Sequence, residues 1–414
     1  MGRTHPSLFP IRTKLLHPSV IFCGVWFGVV LLYSMHLSYL LQYSTREVLS
    51  VTGYILVPFV GVVVFYNAFR QFSLLAFSST KTTGEVDFKL LEQRLKVWFR
   101  AWLVISLIEI AVSGGLPLVW LVANSSKTYV DFGIQSLHGL VNSLLYSIAL
   151  CHFALYLIKG QRRHLRIPVF AIVWSVLLIT RALMLVALLE FAIAYLRLKR
   201  VRPATLIRIM FGTAFFILVF GFVGDLRSGS EAFRWVAQPT SEYPEWLPSG
   251  VLWVYIYVTT PINNLIYTMH SFRPVNSLLF PNSAATLFPT VIRTMIYGSQ
   301  VGQASSGNLV DESFNISTAY VGPFQDYGLV GVVLFSVAIA LICQYFWFRD
   351  NLRDVLIFCV LTQCLLISLF FNNFFALPVI TQIVWLYYFF LPRLRIGATV
   401  SRPKNAGSAN LPVG

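Results

Sequence analysis

Charge is scarce in this chain, and the scarcity decides its class. Only 11% of its 414 residues are charged and 57% are hydrophobic, with a mean hydropathy of +0.72; soluble domains carry about 25% charged residues. A water-soluble globular fold is excluded, and an all-α polytopic membrane protein is predicted. Cysteine is equally sparse: Cys23, Cys151, Cys343, Cys359 and Cys364 all fall inside apolar segments, with no CxxC and no Cys/His cluster. That excludes a disulfide framework and a zinc site. There is no P-loop and no Gly-rich dinucleotide turn, so no cofactor is predicted. The nearest approach to a metal-diphosphate pattern, Glu85-Val-Asp87, lies in a basic loop and predicts no metal. No cleavable leader is predicted. The first apolar run begins at residue 19, extends to about 41 and lacks a small-residue cleavage site, which reads as a retained helix.

What is present is hydrophobic length. Apolar spans run from about 19 to 41, 49 to 68, 101 to 122, 134 to 158, 167 to 180, 182 to 196, 204 to 224, 328 to 348, 355 to 371 and 374 to 391. They predict about ten crossings (10–12). The stretch 167–196 fixes the topology. As one helix it would reach about 45 Å and place its two basic flanks, KGQRRHLR and RLKRVR, on opposite sides of the membrane, against the positive-inside bias. Folded as a hairpin it keeps both flanks cytoplasmic and puts the turn at Thr180-Arg181-Ala182, with a guanidinium at its outer tip. The net charge of +15 is then membrane-flanking, not a nucleic-acid footprint. On this count only Arg46, Lys127, Arg181, Arg227, Arg234, Arg273 and Arg293 lie outside, and both termini are cytoplasmic.

Four sections follow: an N-terminal membrane bundle over 1–224, a periplasmic or re-entrant region over 225–327, C-terminal helices over 328–396 and a polar tail over 397–414. Within the first, 70–100 reads as a loop and an amphipathic basic stretch along the inner leaflet. Gly24 and Gly28 form a GxxxG of the helix-packing kind. Glu109 and Glu190, costly inside a membrane, predict structural pairing with each other or with an arginine such as Arg208.

The region 225–327 is Pro- and Asn-rich, has no clean span and contains no lysine. Its cations are Arg227, Arg234, Arg273 and Arg293. Guanidinium is planar, weakly hydrated and binds phosphate oxygens with two parallel hydrogen bonds, so arginine without lysine points to a diphosphate held at a membrane surface. The competing reading is ordinary loop charges paired with Asp225, Glu231, Glu242, Glu245, Asp311, Glu312 and Asp326. The segment 251–270 is too polar for a lipid-facing helix. Its Tyr255, Tyr257, Asn263 and Asn264 suit sugar C–H faces and hydroxyls, or else an interfacial aromatic belt. His270, the only histidine assigned outside, is a candidate proton carrier, with a structural role as the alternative.

The strongest local pattern is NISTAYVGPFQDYGLVG, residues 315–331, ahead of an apolar helix. It resembles the bacterial Wzy-type polymerases of O-antigen and capsule repeat units: an Asn/Ser/Thr run, a Gly, an Asp-aromatic-Gly and a second Gly. Similar too are the Arg-tipped hairpin, the Gly-Asp-Leu-Arg at 224–227 and the Tyr-x-Tyr…Pro…Asn-Leu at 255–265. Thr180 stands where Ser often precedes the hairpin Arg, and Tyr327 where Phe is commoner.

The resemblance covers roughly 160–348 and implies an inner-membrane glycosyltransferase with a periplasmic site. Its substrates would be repeat units on undecaprenyl diphosphate, with a chain-length regulator as a possible partner. Arg181, Arg227 and Arg293 would stabilise the leaving diphosphate, and His270 or an external carboxylate would activate the acceptor. Arg273, Tyr255, Tyr257, Asn263, Asn264, Asn315, Thr318 and Asp326 would bind substrate. The alternatives are an O-antigen ligase, which shares the chemistry, a lipid-linked oligosaccharide flippase or transporter, and a purely structural assembly subunit.

Overall fold

The computed structural model describes residues 14–71, 86–199, 207–208, 211–212, 230–244, 246–247, 249–298 and 307–392. Arg227, most of the expected span 204–224 and the tail lie outside them. Among the described residues the chain is helical, and the only extended pairing is an isolated bridge between Ser38 and Pro239. The helices are α1 (Pro18–Tyr33), α2 (Thr45–Gln71), α3 (Phe88–Ser113), α4 (Pro117–Val122), α5 (Leu137–Lys159), α6 (Arg166–Leu177) and α7 (Arg181–Leu198). They continue with α8 (Ser230–Ala237), α9 (Ser249–Ser271), α10 (Thr290–Tyr297), α11 (Val321–Trp347), α12 (Leu352–Ile367) and α13 (Leu377–Phe389). Four stretches, Thr45–Arg70, Phe88–Val122, Leu137–Lys159 and Val321–Trp347, are long and apolar enough to cross a membrane. This is a helical membrane protein.

Two buried helices organise the bundle. α5 packs against α3, α6, α7 and α13, while α12 packs against α1, α7, α11 and α13. Both bury nearly their whole circumference, whereas α2 and α3 keep outward stripes of Val, Leu and Phe exposed. A helix apolar all round belongs inside, and one apolar toward solvent belongs against lipid.

The bundle has two chemically different ends. One end gathers the C-termini of α1, α3, α6 and α12 and the N-termini of α2, α5, α7, α11 and α13; it is called here the loop end. The opposite end is basic. There Arg197 donates to the Trp347 carbonyl (3.3 Å), and Arg94 donates to the carbonyls of Tyr388 (3.2 Å) and Phe389 (3.0 Å), capping α13. Lys159 and Arg163 pair with Glu92. The described cations Arg46, Lys127, Arg181, Arg234, Arg273 and Arg293 all belong to the loop end, so charge divides between the ends as the flank-counting argument divides it.

Several details depart from the sequence expectations. The basic stretch after residue 86 is not a separate surface helix, because Lys89, Arg94, Lys96 and Arg100 sit in the opening turns of α3, continuous with its apolar part. The first helix ends at Tyr33, well short of 41, where the chain turns into a loop anchored by Tyr255 and Asn263. Gly24 and Gly28 meet nothing within 4 Å, so their close packing is not realised. Glu109 and Glu190 do not pair. Glu109 takes the Ile134 N–H (3.2 Å) and His138 Nδ1 (3.2 Å), and Glu190 takes the Gln382 amide (2.8 Å).

The hairpin exists, with its break slightly earlier than expected. Ser175 accepts from the Thr180 N–H (3.0 Å) and Val176 from the Ile179 N–H (3.0 Å), a Schellman closure of α6. It forces Ile179 to φ +56°, a conformation that a β-branched side chain resists. Neighbouring packing holds it there: Tyr146 bonds Ser175 (2.6 Å), and Trp174 donates to Asn142 (3.2 Å). Arg181 becomes the exposed first residue of α7.

Candidate functional site

The residues 315–331 fold as a re-entrant turn. α11 is not straight: Tyr327 (φ −140°, ψ 21°) and Gly328 (φ 60°, ψ −144°) are non-helical and reverse the chain. Tyr320 and Ser336 would stand about 24 Å apart along a straight helix, yet the Ser336 hydroxyl donates to the Tyr320 hydroxyl oxygen at 3.1 Å. The Tyr320 ring also lies edge-on to Phe335 at 5.2 Å. The chain thus descends to Ala319, climbs through 321–326, turns at 327–328 and descends again as the long part of α11. The floor is tied to α12 by the Ala319 N–H to the Ser368 carbonyl (2.8 Å).

Four residues of the motif have a clear mechanical reason. A Cβ on Gly331 would collide with the Pro323 carbonyl, so only glycine lets the two arms touch. A Cβ on Gly322 would come within 2.7 Å of the Asn282 carbonyl. Gly328 supplies the positive φ of the reversal. Asp326, fully buried, clamps the neighbouring loop. Its carboxylate accepts the Asn282 N–H (2.9 Å), the Asn282 amide (2.9 Å) and the Ser283 N–H (2.8 Å). Tyr297 donates to the Leu279 carbonyl (2.9 Å); burial, and then the Asp326 charge, push its phenol pKa up, so it stays a donor.

Between this turn, the clamped loop and residues 370–376 opens a cleft of about 300 Å³. Asn282, Ser283, Thr286, Asn315, Ser317 and Thr318 contribute its polar side chains on one side, and Asn372 and Asn373 face them beside Phe370 and Phe371. Among the described residues, no charged side chain lines it. The Ser283 hydroxyl is buried without a hydrogen-bond partner. A second recess under Tyr257, Thr260 and Asn315 holds only about 10 Å³, room for no more than a water.

Of the residues expected at substrate, Asn315 and Thr318 come together in the cleft. Asp326 stands behind its wall, as a clamp and not a ligand. Asn263 and Asn264 are corrected as well, because the chain itself consumes their amides. Asn263 donates to the Leu40 carbonyl (2.8 Å) and accepts from Tyr33 (2.7 Å) and Gln42 N–H (3.3 Å). Asn264 donates to the carbonyls of Phe314 (3.0 Å) and Ile316 (2.8 Å) and accepts the Val310 N–H (3.0 Å). Tyr255 is buried, and its hydroxyl accepts the Leu37 N–H (2.9 Å). These residues fasten α9 across the loop end.

Tyr257 is partly exposed and stacks on Trp253 (5.5 Å). His270 is exposed and edge-on to Tyr43 (5.3 Å), and it does not line the cleft. Arg273 is exposed and Arg293 half-buried on α10, which is tied to the foot of α5 by the Thr290 N–H to Ser136 Oγ (2.9 Å). The cleft residues that sequence reasoning missed are Asn282, Ser283, Thr286, Asn372 and Asn373. Asn372-Asn373 carried a readable signal, two adjacent amides between Phe370-Phe371 and Phe374-Phe375. The chain matches no protein-family model, no curated protein and no solved structure.

Proposed function

We propose that the chain is a glycosyltransferase of about ten crossings in a bacterial inner membrane, with both termini cytoplasmic and the loop end periplasmic. It polymerises oligosaccharide repeat units carried on undecaprenyl diphosphate. The observation that carries this reading is the pairing, at one end of the bundle, of arginines with a re-entrant turn whose floor opens into an uncharged amide and hydroxyl cleft. A lipid diphosphate and a glycan need these two chemistries side by side.

In the reaction an acceptor hydroxyl attacks the anomeric carbon of the donor. The new C–O bond forms as the bond from that carbon to the diphosphate oxygen breaks, and the acceptor proton passes to His270 or an external carboxylate. Negative charge grows on the leaving diphosphate, and arginines stabilise it there. Arg181, Arg227 and Arg293 take this role, with Arg273 as the next candidate. No metal is required for a leaving group this good.

The test is direct. Membranes containing the chain are supplied with labelled lipid-linked repeat units from the source bacterium, and the products are separated by size. A ladder of lipid-linked multimers supports polymerisation. Transfer onto lipid A-core instead makes the chain a ligase, and relocation of intact substrate without new bonds makes it a flippase.

A further inference from the structure

We infer that the cleft between the re-entrant turn and residues 370–376 is a subsite for one uncharged sugar ring of the glycan, separate from the groups that hold the diphosphate. This rests on the glycan reading above and narrows it. The lining offers amides and hydroxyls with unspent hydrogen-bonding capacity. Ser283 is 4% exposed and its Oγ has no partner. Asn282 uses one amide N–H on Asp326 and keeps its carbonyl oxygen. Asn372 spends its oxygen on the Phe375 N–H (3.3 Å) and keeps its amino group. Thr318 accepts the Tyr320 N–H (3.2 Å) and keeps its own proton. A buried hydroxyl without a partner is destabilising, and a ligand hydroxyl that bonds it removes that cost.

The chemistry selects among ligands. A phosphate or carboxylate would find no cation among the described lining residues, and Asp326 behind the wall is negative and already takes three N–H donors. A hydrocarbon would strand the amides. A sugar ring matches both features, presenting hydroxyls to Asn and Ser and a C–H face to Phe371, which is 36% exposed. The volume of about 300 Å³ lies at the small end of ligand sites, which run from about 300 to 1,000 Å³, and fits one ring better than an oligosaccharide. With no titratable side chain lining the cleft, binding there is insensitive to pH between 6 and 8, and the subsite positions the sugar without performing chemistry on it.

The experiment is saturation-transfer NMR on the full-length protein in detergent. The probes are glucose, galactose, mannose, rhamnose, N-acetylglucosamine and N-acetylgalactosamine, with glucuronate as the charged probe. At least one neutral sugar should receive saturation and glucuronate should not. Ser283→Ala and Asn373→Leu should each weaken that binding about fivefold, the effect of one neutral hydrogen bond, and Arg181→Ala should leave it intact. Thermal unfolding and size-exclusion profiles certify each variant as folded; Ser283→Ala, which removes a single oxygen, carries the test if Asn373→Leu does not fold. Silence from all six neutral sugars, stronger binding of glucuronate, or signals unmoved by Ser283→Ala would overturn the inference. Loss of the signal in Arg181→Ala would overturn it too, by placing the sugar at the hairpin. Sugar binding without any ladder of products would remove the polymerase and leave the subsite standing.

Discussion

Asp326→Asn isolates the clamp that shapes the cleft. The carboxylate takes three N–H donors at 2.8–2.9 Å from Asn282 and Ser283, in a position with no solvent exposure. Hydrogen bonds to a charged acceptor contribute about 1.5–3 kcal/mol each. An amide keeps one oxygen but turns its N–H₂ toward at least one of those donors, so a bond is lost and a buried donor is left unmet. The expected cost is about 3 kcal/mol, roughly 100-fold in the ratio of docked to undocked loop.

Two backbone bonds are untouched by the substitution: the Val275 N–H to the Gln325 carbonyl (2.9 Å) and the Asn276 N–H to the Asp326 carbonyl (2.8 Å). Hydrogen exchange read by mass spectrometry should therefore accelerate in peptides covering 281–284 and stay near wild type in those covering 274–277. Equal acceleration across both peptides would mean global destabilisation. Unchanged exchange at 281–284 would refute the clamp.

Other outcomes follow from separate features. Arg181→Ala should cut polymer formation by ~100-fold to 1000-fold at normal protein abundance, and Arg181→Lys should restore little, since a point charge lacks the two-pronged contact; long chains from Arg181→Ala would make the residue structural. Gly331→Ala should lower stability in detergent by about 3 kcal/mol through collision with the Pro323 carbonyl, whereas Gly24→Ala, with open space around it, should cost nothing; equal thermal midpoints for the two would contradict the fold-back of α11. Cysteine at 181 should react with an impermeant thiol reagent added from outside and cysteine at 163 should not, and the reverse pattern would invert the assigned orientation. Reporter fusions at 240 and 305 should both report the periplasm, and a cytoplasmic signal at either would break the single external block.

How much of this could be read from the sequence depends on how local each cause is. Membrane character and the hairpin near 180 were legible because apolar length and flanking charge are local quantities. The break falls at Leu178–Thr180, ahead of the predicted turn, because a Schellman closure puts Ile179 where no propensity would place it. The polar residues of 251–270 were legible as unsuited to lipid, and in the structure several of them anchor its helix α9 at the loop end. The fold-back at 327–328 was hidden, since the apolar span begins at 328 and only tertiary contact reveals that 321–326 form a second arm folded against it. Asn263 and Asn264 illustrate the limit most clearly: an amide in a polar helix looks the same whether it faces a sugar or the backbone of a neighbouring loop.

The fastening of α9 sets a timetable for biosynthesis. Leu37, Gln42 and Tyr33 find their partners in Tyr255 and Asn263, between 218 and 230 residues later in the chain. At about 5–20 residues per second, a ribosome needs roughly 10 to 50 s to supply them. For that interval the first two helices stand in the bilayer with their connecting loop unsealed and its amides served by water. The loop end is therefore the last part of the molecule to close, so truncation before residue 263 should yield an inserted, protease-sensitive protein instead of a smaller stable one.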